Sequence, residues 1–360
     1  MDADELRASM PTVVRDAAYL NTGASGPSPL PVREAMRDTF DTHAEAHADD
    51  PYGHEAAVAD EARAAFASFV GAQSEQIALT SNTTDGVNTV ADCFDWSDDT
   101  VVTTALEHPA GRLPWERLAD VRGVGVRTVP AAGNGRALSR DAYKDAVRGA
   151  TLVCLSSVSW YGVSLPVPEL VEIAHDAGAA VVVDAAQSVG AERVDVDDWG
   201  AEYVVAPAHK WLLGPWGAGF LYVSEDAPVE AQTRVGYKSA VSPNESATLR
   251  DDARRFEVST SSPGVLAGAR AAVETVRSVG VGFVEERIAR LVERLEDRLG
   301  DRHRTTGGGL VRFADPTPEE TVARLKEDGV VVRSLPNGDL RASVHVFNTS
   351  GDVDRLAEAL

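Results

Sequence analysis

The sequence predicts an α/β protein: a large domain with a mostly parallel sheet flanked by helices, followed by a small α+β C-terminal domain. Three observations predict it. The chain has 360 residues, 44% of them hydrophobic, enough for a sizeable core. From about residue 75 to 225, short β-type runs alternate with helix-type stretches. Beyond residue 260 that alternation gives way to two long helical stretches and a few strands.

In chain order, strands are predicted at Ile77–Thr80, Val101–Ala105, Val124–Val129, Thr151–Leu155, Ala179–Asp184, Tyr203–Ala206 and Gly219–Val223. Most are near-continuous apolar runs, the pattern of a sheet covered on both faces. Between them, Ser139–Arg148 and Pro168–Ala177 read as amphipathic helices opened by residues suited to a helix N-terminus. Tyr237–Arg255 has no period and reads as a long loop near the domain junction. Helices follow at Gly264–Val279 and Gly282–Leu299, then a strand at Leu310–Ala314, a helix at Pro318–Asp328, two strands, and a last helix from Asp352. The division expected is a large domain over residues 15–270, with residues 1–14 and 271–360 forming the small one.

Composition excludes several function classes. Lys plus Arg number 34 and Asp plus Glu 56, a formal charge of −22, so nucleic-acid phosphates and anionic membranes would repel the chain. Only Lys144, Lys210, Lys238 and Lys326 are lysines. Carboxylate excess with scarce lysine suits a salt-rich cytoplasm. The most apolar stretch, Ala177 to Val183, ends at Asp184, too soon for a membrane span. The start, Met1-Asp2-Ala3-Asp4-Glu5, lacks the basic and apolar regions of a signal peptide, and a cytoplasmic protein is expected. Two cysteines make neither a disulfide framework nor a metal site. Cys154, in a strand, and Cys93, late in an expected helix, read as core residues.

Ligands in open α/β sheets gather at the carboxyl ends of strands, so the residues after each strand are the candidates. Thr83 and Thr84 follow Ile77–Thr80 and put two hydroxyls and free N–H groups at a strand-to-helix turn. That is a phosphate cradle or an ordinary helix start, and Asp85 in the first turn weighs against an anion. His108, after Val101–Ala105, is a structural imidazole or one laid against an aromatic ligand. Asp184 closes an apolar strand and, being desolvated, wants a positive partner such as a protonated pyridine nitrogen, unless it caps the next helix. Gln187 can donate to a phenolate oxygen. Lys210 lies between His209 and the apolar Trp211-Leu212-Leu213, where burial would free its amine for Schiff-base formation.

Four such segments in this order resemble the class V aminotransferases, the fold type I pyridoxal-phosphate (PLP) group that includes cysteine desulfurases, selenocysteine lyases and isopenicillin-N-epimerase-like proteins. The likeness runs from Tyr19-Leu20-Asn21-Thr22 to Phe347-Asn348-Thr349. It implies a fold type I PLP-dependent homodimer acting on a small-molecule amino acid or related amine. Lys210 would form the Schiff base with PLP and shuttle protons, Asp184 would hold the pyridine nitrogen, Gln187 the 3-oxygen, and His108 would stack on the ring. Thr83, Thr84 and His209 would hold the phosphate. Thr260, in Arg255-Phe256-Glu257-Val258-Ser259-Thr260, would reach the phosphate of the neighbouring subunit. Arg341 would grip the substrate carboxylate, a task that suits a guanidinium.

The sequence departs from the family at three places. Val332–Leu340, where desulfurases carry a nucleophilic Cys, has none; Pro207 replaces a common Ser; Ser259 replaces a common Gly. The expected activity is of the class V aminotransferase type, with a cysteine desulfurase- or selenocysteine lyase-like C–S or C–Se lyase, an epimerase, or a non-catalytic relative without PLP, as alternatives. His43 and His47 at i, i+4, with Asp50 and His54 nearby, read as a solvated helix face, and no metal is expected. Gly307-Gly308-Gly309 reads as a turn, and no GxGxxG follows a strand, which counts against a nicotinamide enzyme.

Overall fold

The computed structural model describes all of residues 1–360. Its central sheet has seven strands: β1 Ile77–Thr80, β2 Thr100–Thr104, β3 Gly125–Val129, β4 Leu152–Ser156, β5 Ala180–Asp184, β6 Tyr203–Pro207 and β7 Gly219–Val223. Their spatial order is β1-β7-β6-β5-β4-β2-β3. Only β7 runs antiparallel to its neighbours, so the others point their carboxyl ends to one edge. Strand residues alternate between two apolar layers. Val153, Val181 and Val204 face one, and Leu152, Cys154, Val182 and Tyr203 face the other. Both faces are covered, which is why β4 to β7 read as unbroken apolar runs. The edge strand β3 is largely exposed, and Arg127 on it bonds the carbonyls of Ala146 and Arg148.

The C-terminal part carries a four-stranded antiparallel sheet: β8 His303–Gly307, β9 Leu310–Ala314, β10 Arg333–Ser334 and β11 Asp339–Ser343, in the order β8-β9-β11-β10. The three-glycine run turns the chain between β8 and β9. Helices Pro263–Val279 and Val281–Leu299 lead into it; Val281–Leu299 and Pro318–Glu327 pack on it, and Ser350–Ala359 packs on Val281–Leu299.

Several elements differ from the sequence reading. Three short strands, not two, follow Pro318–Glu327, because Val330–Val331 first pairs in parallel with Ala18–Tyr19 at the other end of the chain. A pairing across some three hundred residues leaves no local signal. The helix at Thr83–Ala91 ends before Cys93, which follows it, buried. The last helix starts at Ser350, where Thr349 caps the N–H of Asp352. The N-terminal helix Ala3–Ser9 buries Leu6, and Arg7 forks onto both oxygens of Asp352 at 2.8 and 3.1 Å. Tyr237–Arg255 is mostly irregular, as its lack of period predicts.

Candidate active site

A cleft of about 720 Å³ opens at the carboxyl edge of the central sheet, and residues from both sheets line it. Thr83, Thr84, His108, Asp184, Gln187, His209, Lys210 and Arg341 all face it. These side chains are up to 258 residues apart in sequence, from Thr83 to Arg341. They meet because β1, β2, β5 and β6 end together, and because β11 brings Arg341 in from the C-terminal sheet. Thr260 does not join the cleft of its own chain. It is exposed, and its N–H donates to the Tyr237 hydroxyl at 3.0 Å.

Local chemistry sets each position. Asn82 caps helix Thr83–Ala91 by accepting the Asp85 N–H, leaving the Thr83 and Thr84 N–H groups free of side-chain caps. Asp85, which weighed against an anion at this helix end, is itself engaged. It accepts the Ser81 N–H at 2.9 Å and pairs with Arg234 at 2.7 Å. His108 caps the next helix, taking the Ala110 N–H on Nδ1, and its ring meets Trp160 edge-on with centroids 5.0 Å apart. Lys210 sits on a tight turn after β6. The Leu213 N–H closes that turn onto the Lys210 carbonyl at 3.0 Å, with Leu213 at a φ of 62°, a strained conformation for a leucine. A Cβ on Gly26 would lie 2.0 Å from the Lys210 carbonyl oxygen, so only glycine lets the 23–26 segment pack there.

Burial moves the Lys210 amine toward its free form, beside a buried carboxylate. Burial pushes the Lys210 amine down to about 8; Asp184 opposes the shift, while Arg341 and Arg333 add to it. Burial raises the Asp184 carboxyl, against Lys210 and the Ala186 N–H, which it accepts at 2.9 Å. Burial also lowers His108 and His209 to about 4, leaving both neutral near pH 7.

Arg341 is 1% exposed. Its Nη1 donates to the Trp160 carbonyl at 2.9 Å, while Nε and Nη2 have no partner, and burial lowers it to about 9. The Thr83 hydroxyl, the Trp160 indole nitrogen and His209 Nδ1 are likewise buried without partners on cleft-lining residues. Buried polar groups without partners cost about 1–3 kcal/mol each, so their concentration here marks a place built for a polar ligand.

The structure adds residues that the sequence reading passed over. Arg333 lies opposite Arg341 across the β10–β11 hairpin and lines the cleft, and its guanidinium has neither an ion pair nor a hydrogen bond. The Pro336-Asn337-Gly338 turn, centred between the two arginines, is the signal that could have paired them. Glu107, 5% exposed, accepts from Thr104 Oγ1 and the Ser156 N–H and bonds the Ser156 hydroxyl at 2.5 Å. Burial pushes it up to about 7, and nearby Asp184 raises it further. Away from the cleft, His43 and His54 face each other, Nδ1 to Nδ1 at 3.0 Å. No helix is long and apolar enough to cross a membrane.

The family model for class V aminotransferases matches residues 18–356, nearly the whole chain. The chain belongs to the class V aminotransferase family. Among the class V relatives, a probable cysteine desulfurase of Methanothermobacter thermautotrophicus is 32% identical, over 100% of this chain and 98% of that one. The solved apo structure of cysteine desulfurase from Thermococcus onnurineus NA1 superposes with a TM-score of 0.90 at 29% identity, covering 99% of this chain and 97% of that one. The cystine C–S lyase C-DES, solved with its product cysteine persulfide, gives a TM-score of 0.88 at 25% identity, over 96% and 97%. The class V architecture is thus the fold type I arrangement implied by the sequence, and its chemistry is that of PLP enzymes.

Proposed function

We propose that this class V enzyme is a PLP-dependent C–S lyase that cleaves a cysteine- or cystine-type amino acid by β-elimination, without a protein thiol as sulfur acceptor. The observation that carries the reading is the cleft itself, where an amine, a buried carboxylate and an unpaired guanidinium converge and no thiol enters. Both cysteines are buried elsewhere, and burial raises Cys93 to about 12 and Cys154 well above its ordinary value. Between β10 and β11, the segment matching the family's nucleophile loop closes as a tight turn, with the Leu335 N–H on the Asp339 carbonyl at 2.8 Å.

The residues fit PLP. The buried, partnerless Thr83 hydroxyl and His209 Nδ1, with the start of helix Thr83–Ala91, suit its phosphate. Asp184 would keep a positive charge on the pyridine nitrogen, Gln187 would donate to the phenolic oxygen, and His108 would cover the ring. Bound PLP supplies the electron sink that acidifies an amino acid's Cα–H. Lys210, with its lowered amine, takes that proton. Arg341 holds the α-carboxylate through its free Nε and Nη2. Arg333 offers a second guanidinium, which favours a substrate with two anionic groups, such as cystine. The overall reaction consumes one water and releases pyruvate, ammonia and the sulfur fragment: sulfide from cysteine, cysteine persulfide from cystine.

The same reading includes a cytoplasmic homodimer in which Thr260 serves the partner's phosphate, and the division into residues 15–270 and 1–14 with 271–360. Arg7 on Asp352 supports grouping the first residues with the last. The test is product analysis of the PLP-loaded protein with cystine and cysteine, without a keto-acid acceptor. Pyruvate and ammonia in equal amounts are expected. Alanine would make it a desulfurase, and amino-group exchange dependent on a keto acid would make it an aminotransferase. Arg333→Ala is expected to raise KM for cystine roughly tenfold more than for cysteine, one charged hydrogen bond being worth about 1.5–3 kcal/mol.

A further inference from the structure

Gln187 is held by two partners. Its Oε1 accepts the Trp211 indole N–H at 2.8 Å, and its Nε2 donates to the Gly23 carbonyl at 3.0 Å. An indole N–H only donates, so the amide oxygen must face Trp211 and the nitrogen must face the other way. One of the two Nε2 hydrogens goes to Gly23; the other is left for the cleft that Gln187 lines.

Trp211 is itself immobilised, largely by residues that flank the C-terminal sheet. It is fully buried. A Cβ on Gly309 would lie 2.4 Å from its Cη2, so a bare glycine at the start of β9 makes room for the indole. His345 stacks on it with centroids 5.6 Å apart and rings 17° from parallel. His345 Nδ1 takes the Val346 N–H, which leaves Nε2 to donate to the Trp211 carbonyl at 2.9 Å. The residue directly after Lys210 is thus clamped between the central sheet and the C-terminal one.

We propose that Trp211 is a positioning residue for the cofactor ring: its indole N–H fixes the orientation of the Gln187 amide, so that an N–H and not a carbonyl oxygen meets the phenolic oxygen of PLP. The inference rests on the PLP reading above. A donor to that oxygen lowers the proton affinity of the bound cofactor, because it stabilises the charged phenolate. Without the indole N–H, only the Gly23 carbonyl still orients the amide, and the donor is lost part of the time.

The experiment is a pH titration of the visible absorbance of the PLP-loaded protein. Trp211→Phe keeps a ring on the shelf and removes the N–H. Its titration midpoint is expected to rise by about half a pH unit to one unit, the size of one ordinary hydrogen bond. Gln187→Ala should shift it the same way, and the double variant no further than Gln187→Ala alone. Gly309→Ala would set a Cβ 2.4 Å from both the indole and the Val344 carbonyl oxygen, neither on a cleft-lining residue, and it should also raise the midpoint, which keeps the test open should Trp211→Phe not fold. An unmoved midpoint in the Trp211 and Gly309 variants, beside a moved one in Gln187→Ala, overturns the proposal, as do additive shifts in the double variant. A wild-type protein that takes up no PLP overturns the cofactor reading, and this inference with it. Normal PLP uptake with unshifted variants overturns this inference alone.

Discussion

The reactivity proposed for Lys210 derives from where it is buried. An exposed lysine amine is almost wholly protonated at neutral pH, whereas this one is lowered to about 8. Only the free amine captures PLP, so the capture rate of the apoprotein is expected to rise nearly tenfold per unit below pH 8 and level off above it, as followed by absorbance. Lys210→Ala should abolish covalent trapping by borohydride; trapping at an unchanged level would move the role elsewhere. Glu107 makes a second prediction. Its carboxyl is raised from 4.5 to about 7 in the folded protein, so between those values the native state holds a proton that the unfolded chain has lost. Its stability contribution is full below pH 4.5 and falls as pH rises through 7, by roughly 3 kcal/mol. Glu107→Gln can keep all three hydrogen bonds and cannot ionise. Denaturation midpoints should therefore fall less from pH 4.5 to 7.5 in the variant than in the wild type. Parallel curves would show that Glu107 does not titrate there.

Among the elements, the helix at Thr83–Ala91 shows how a feature that argues against a site can be neutralised by a distant segment. Asp85 places a negative charge in the first turn, where a phosphate would otherwise meet bare N–H groups. Arg234, from the long segment after β7, pairs with it at 2.7 Å. Arg234→Ala is expected to weaken PLP binding about three- to tenfold, as an unpaired carboxylate faces the phosphate; a second change, Asp85→Asn, should restore most of it. Equilibrium dialysis of PLP would read both. If Asp85→Asn gives no recovery in the Arg234→Ala background, the arginine acts on something other than that charge. The hairpin of β10 and β11 has a comparable logic, since its register sets Arg333 opposite Arg341 and so adds a second guanidinium to the cleft.

Across the whole molecule, a formal charge of −22 sets the terms of stability. Self-repulsion of that size extends about 10 Å through 0.1 M salt but only about 3 Å through 1 M. The thermal midpoint is therefore expected to rise between 0.1 and 2 M KCl, and similarly in NaCl. A midpoint that stays flat or falls would mean that the carboxylates are compensated within the fold. Many ion pairs of the surface, such as Arg294 with Asp354 and Arg140 with Glu169, are open to solvent and weaken under the same salt. The expected gain is thus the balance of relieved repulsion over lost pairing.

By itself the sequence determined the seven strands of the central sheet, nearly to the residue, most of them because a strand buried on both faces must be apolar throughout. It also determined which polar residues close those strands, so Asp184, Lys210 and His108 stood out locally. It could not show that Val330–Val331 pairs with Ala18–Tyr19, nor place Arg333 in the cleft, nor connect Trp211 to Gln187. Those relations depend on segments far apart in the chain, and each local stretch is compatible with many partners. Asp85 read as an obstacle for the same reason, since Arg234 lies 149 residues away. Strand identity is written in side-chain hydrophobicity, one residue at a time. The meeting of charges and donors in the cleft is decided only when the two sheets pack together, since burial and proximity are properties of the folded chain.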